Sequence, residues 1–83
     1  MLPIQSGKGF IIMDWIFMDD VQPVVSTKKI LYMAINGDFY VGWCAIEHSA
    51  TIITRAELQD SGEFVQYHST ISNKYFASWT YIE

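Results

Sequence analysis

Apolar positions in this chain fall into short runs separated by polar punctuation, and the clearest pair lies between Lys28 and Ile46. Two apolar runs there flank Asn36-Gly37-Asp38, a strong hairpin signal because Asn and Gly accept the backbone angles that a tight turn needs. The pattern predicts strands over Lys28 to Ile35 and Phe39 to Glu47. In the second strand, Phe39, Val41, Trp43 and Ala45 share one face and Tyr40, Gly42, Cys44 and Ile46 the other. Both faces are mostly apolar, so the strand is predicted to be central and covered on each side. Gly42 inside it signals a bend, a bulge or a close packing contact.

The same reading extends along the chain. Phe10 to Met18 is rich in β-branched and aromatic residues and predicts a first strand. Asp19 to Thr27, with Asp19, Asp20, Pro23 and Ser26, reads as a connection. Thr51-Ile52-Ile53 predicts a short fourth strand. Thr54-Arg55-Ala56-Glu57 matches a capping box and Gly62 a helix stop, which predicts one helical turn from about Arg55 to Asp60. Glu63 to Thr70 and Phe76 to Ile82 read as two further strands, separated by Ser72-Asn73-Lys74. The expected fold is mostly β, a small antiparallel sheet of four to six strands with at most one short helix. Residues 1–12 form an N-terminal arm or extra strand, and 13–83 one β-rich domain.

Composition sharpens this picture. Hydrophobic residues make up 51% of the 83, aromatic residues 16% and charged residues only 17%. Soluble domains carry about 25% charged residues, and a small domain has proportionally more surface to solvate. The apolar surplus must face something, which points to a homo-oligomer or a stable protein partner. Net charge is −4 and the five basic residues are scattered, which argues against nucleic-acid binding. The apolar stretch around Asp14 is too short for a membrane span and lacks a cleavage site, so it reads as neither anchor nor signal peptide. A lone Cys44 cannot form an internal disulfide, which favours a cytoplasmic location.

Candidate chemistry is sparse. Cys44 and His48 would lie about 13 Å apart on an unbroken strand, far beyond the hydrogen bond that generates a thiolate. Two histidines and one cysteine do not make a metal-ligand set. Ser6-Gly7-Lys8-Gly9 lacks the spacing of a phosphate-binding loop, and no pair of carboxylates is singled out. No catalytic residue, cofactor or metal is therefore expected. The aromatics remain. Tyr75, Ala77, Trp79 and Tyr81 share one face of a terminal strand, and that row is either core, a protein interface or a base-stacking platform.

The stretch from Met13 to Glu83 resembles a family of small phage and prophage domains of unknown function. The resemblance rests on Trp15-Ile16, then Asp19-Asp20 with Pro23, Ile30-Leu31-Tyr32, Val41-Gly42 after the turn, and Trp79 near the C-terminus. The chain departs from the family pattern at Val21-Gln22-Pro23 and at Thr80-Tyr81-Ile82. The resemblance implies a phage or prophage origin and a small β-rich fold, and it implies no activity. Together these readings point to a non-enzymatic accessory protein that binds a host protein, an inhibitor of a host defence function being one version. Trp43, Tyr75, Trp79 and Tyr81 are the expected contact residues, with Asp19 and Asp20 as rim charges. An oligomeric small-ligand or nucleotide-binding module, and a structural subunit of a larger particle, are the alternatives.

Overall fold

A computed structural model describes residues 14–82, and the expected N-terminal arm lies outside that range. The described chain forms one six-stranded antiparallel sheet in the order β1-β6-β2-β3-β4-β5. The strands are β1 (Ile16–Phe17), β2 (Ile30–Ala34), β3 (Phe39–Trp43), β4 (Ser49–Leu58), β5 (Phe64–Ser72) and β6 (Phe76–Tyr81). A single turn of 3-10 helix, Asn73–Tyr75, joins the last two. The mostly β, antiparallel architecture read from the sequence is the one the chain adopts.

Two hairpins use the same loop. In the first, Ala34 N donates to Asp38 O at 2.7 Å and Gly37 N to Ala34 O at 2.9 Å. In the second, Gln59 N donates to Glu63 O at 2.7 Å and Gly62 N to Gln59 O at 2.9 Å. Each loop closes on a glycine in the left-handed region, Gly37 at φ 94° and Gly62 at φ 90°, where a Cβ would be strained. Asn36 adds a side-chain bond from Asp38 N at 3.0 Å.

The helical turn expected over Arg55 to Asp60 does not form, because β4 continues through it to Leu58. Thr54 is the extra residue of a bulge between Ile53 and Arg55, and its hydroxyl donates across the hairpin to Tyr67 O at 3.1 Å instead of capping a helix. Glu57 likewise turns sideways, accepting from Tyr67 Oη at 3.3 Å and pairing with Arg55 at 3.1 Å. Nine cross-strand partners between β4 and β5 outweigh a four-residue local signal.

One face of the sheet carries the core. Ile30, Tyr32, Ala50, Ile52, Phe76 and Trp79 bury there, with Cys44 beside them. No helix among the described residues covers them. The cover is the β1–β2 connection itself, which buries Met18 and Pro23 and is tied down by hydrogen bonds. Trp79 Nε1 donates to Val21 O at 2.7 Å, Asn73 Nδ2 to Gln22 Oε1 at 3.1 Å, Ser26 N to Cys44 O at 2.9 Å and Ile82 N to Lys29 O at 3.1 Å. A loop strapped by backbone acceptors can lie on apolar side chains without leaving its own polar groups unpaired.

β3 differs from its expected setting. It is an interior strand, but only its Tyr40–Gly42 face is covered among the described residues; Phe39 is 58% exposed and Val41 39% exposed. Gly42 marks a close approach, since a Cβ there would collide with Thr51 O and sit 2.9 Å from Ile52 Cα.

Candidate protein-docking face

Alternation along the strands, read through the register, assembles the face that no other described element covers. Phe17 lies opposite Ser78, Ser78 opposite Met33, and Met33 opposite Phe39. One step along, Thr80, Leu31 and Val41 line up, and Trp43 follows opposite Thr51. Trp15 leans across this row, its ring 5.9 Å from that of Phe39. The resulting surface is apolar and, across these positions, uncharged. Phe17 is 63% exposed, whereas Ser78, Thr80 and Thr51 on the same face are buried. At one end Trp43 is half-buried, held edge-on by His68 at 4.8 Å with Lys29 Nζ 5.0 Å over its ring. Lys29 and His68 thus mark a polar rim beside an aromatic anchor.

The residues singled out from sequence separate in space. Trp43 is on the open face. Trp79 is on the opposite, covered face and only 3% exposed, a core residue whose indole N–H is consumed by Val21. Tyr81 flanks it edge-on at 5.1 Å, with Lys28 Nζ 4.2 Å above its ring. Tyr75 does not continue their row: it ends the 3-10 turn, exposed, because a bulge at Met33/Ala34 pairs Phe76 with Ala34. Asp19 and Asp20 lie in the turn after β1, where they line a cavity of about 780 Å³ together with His48, Asn73 and Lys74. In its wall Gln22 Oε1 faces His48 Nδ1 at 2.9 Å and accepts from Asn73 Nδ2 at 3.1 Å.

Trp15, Phe17, Leu31, Met33, Phe39 and Val41 escaped selection from sequence. Their alternation was visible, but both faces of each strand are apolar, and the pattern carries no mark of which face the β1–β2 connection covers.

Cys44 is fully buried, and its Sγ donates to Ile46 O at 3.4 Å and Pro23 O at 3.6 Å. Burial, with Glu47 nearby, pushes the thiol up from its ordinary value, against a smaller opposing effect of the Ile46 bond. Burial likewise raises Tyr32, with Cys44 and Tyr81 adding to it, and the Tyr32 hydroxyl has no hydrogen-bond partner among the described residues. Both groups are thus held neutral in the folded state, opposite to what a nucleophile requires. Above 9.0, the ordinary thiol value, the unfolded chain releases protons that the folded chain retains, so stability falls with rising pH. Urea midpoints measured at neutral pH and near pH 10 should show that decline; equal midpoints would contradict it.

Among the described residues, no group of three or more His, Cys, Asp or Glu is placed to hold a metal, and no helix is long and apolar enough to cross a membrane. No known protein family, curated protein or solved structure matches the chain.

Proposed function

We propose that this chain is a non-enzymatic binding module whose open sheet face seats an apolar surface of another protein. The observation that carries this reading is the uncharged apolar face built from Phe17, Leu31, Met33, Phe39, Val41 and Trp43. Water-exposed aromatics in a contiguous patch on a small domain are favourable only when something covers them. The rim fits the same use, because Lys29 and His68 hold Trp43 in place before a partner arrives, which lowers the entropy cost of docking. In keeping with the phage resemblance, the partner is a host protein that the module binds and restrains; occlusion needs a hot spot and no catalytic apparatus. Trp43 remains a contact residue in this reading, joined by Phe39 and Phe17, and Trp79 supports the face from behind.

Affinity capture from a bacterial lysate with tagged wild type, Phe39→Glu and Trp43→Ala tests it. Wild type is expected to retain one protein stoichiometrically, and each variant to weaken that complex by about 2 kcal/mol, roughly 30-fold, with its thermal unfolding unchanged. Equal capture by all three proteins would overturn the reading. The small-ligand alternative has one feature in its favour, the polar-walled cavity beside Asp19 and Asp20. A thermal shift with a nucleotide, abolished by His48→Ala, would favour it over docking.

A further inference from the structure

We propose that β5 is a dimerisation edge, at which a second copy of this chain pairs antiparallel about a twofold axis near His68 and continues the sheet. This does not rest on docking at the open face. β5 is the terminal strand of the sheet and pairs only with β4 among the described residues. The bonds Gln59 N to Glu63 O and Asn73 N to His48 O turn Glu63 and Asn73 inward, towards β4 and its flanking loop. Alternation between them then leaves the N–H and C=O of Phe64, Gln66, His68, Thr70 and Ser72 facing outward.

Natural sheet edges are blunted by lysine, proline, inward charge or shortness. The opposite edge, β1, is two residues long. β5 has nine residues and contains no lysine, arginine, aspartate, glutamate or proline. It is a template for another strand with nothing to repel one.

The hairpin also needs support. β3 partners β4 only at Gly42↔Ile52 and Trp43↔Thr51, so the chain beyond Ile53 projects as a two-stranded ribbon. At about 3.4 Å per residue its strands reach roughly 17–20 Å past the sheet, and an isolated two-stranded hairpin is marginal in water. Phe64 at its end is 72% exposed and Leu58 64% exposed. A second ribbon alongside converts two strands into four.

Charge bears on the direction of pairing. The ribbon tip carries Asp60 and Glu63, while Lys74, which shares a cavity wall with Asp19 and Asp20, follows the other end of β5. An antiparallel second copy sets each acidic tip beside the partner's Lys74. A parallel copy would bring the two acidic tips together. The same twofold places Gln66 opposite Thr70 of the partner subunit. The edge is therefore complementary to itself, as a twofold interface requires.

Sedimentation equilibrium of the full chain at micromolar concentration is expected to give twice the 9.6 kDa chain mass. Gln66→Pro removes an outward N–H and no β4 ladder bond, so it should yield a monomer with the wild-type circular dichroism. Glu63→Lys and Lys74→Glu should each raise the dimer dissociation constant about tenfold, and the double variant should bring it back near wild type. These two reversals decide the matter even if Gln66→Pro fails to fold. A monomeric wild type, a dimer indifferent to both reversals, or a double variant that shows no recovery would each overturn the proposal.

Discussion

Trp79→Ala is expected to destabilise the fold by about 3–5 kcal/mol, the usual cost of deleting a fully buried large aromatic. Three roles meet in this side chain. It lies at the centre of the covered face, partnered by Ile16 on β1 and Tyr32 on β2. Its ring meets Tyr81 edge-on. Its Nε1–H, donated to Val21 O at 2.7 Å, fastens the β1–β2 connection over the core. A domain of this size has about 5 kcal/mol in hand, so alanine should leave about 0–2 kcal/mol, a fold at the edge of stability at room temperature. Trp79→Phe separates the roles. It keeps most of the bulk, loses the donor and strands the Val21 carbonyl, at about 1–2 kcal/mol. Urea titration of both variants checks the ordering. An alanine variant as stable as wild type would remove Trp79 from the core and reopen its reading as a surface contact.

Gly42→Ala is expected to be the next most damaging change, for a different reason. A Cβ at this position meets backbone, Thr51 O and Ile52 Cα, and neither can swing aside as a side chain would. Relief requires β3 and β4 to part. Their pairing is confined to two positions, Gly42↔Ile52 and Trp43↔Thr51, so this is the waist through which the β4–β5 hairpin is joined to the remaining strands. Overpacking there should cost about 1–3 kcal/mol and act locally first. Hydrogen exchange would detect it as lost protection in β4 and β5 while β2 and β6 stay protected. Uniform loss throughout, or none, would contradict the waist.

How far the chain could be read depends on the range of the interaction that decides each feature. Asn36-Gly37 announced a hairpin because turn preference is local, and the loop that forms closes on Gly37 in the left-handed region. Gly62 carried an equally local signal with two meanings, helix stop or hairpin loop. Only the nine partners waiting on β5 chose between them, and they also turned Thr54 from a cap into a bulge. Tyr75, Trp79 and Tyr81 shared a face by alternation until the bulge at Met33/Ala34 removed Tyr75 from it.

By itself the sequence determined that the chain is built from short antiparallel strands, that it carries more apolar surface than a thin core can hide, and that it brings no clustered charge to attract a phosphate backbone. Those properties are sums over residues or preferences of neighbours, and they do not depend on the path of the chain. Which face is covered was decided by the tertiary structure alone. The β1–β2 connection passes over Trp79 rather than over Phe39 because Val21, Gln22 and Cys44 find hydrogen-bond partners there, Trp79 and Asn73 among them, at separations of up to 58 residues. Trp79 became core and Trp43 surface for that reason, although alternation presents both as aromatics on apolar strands.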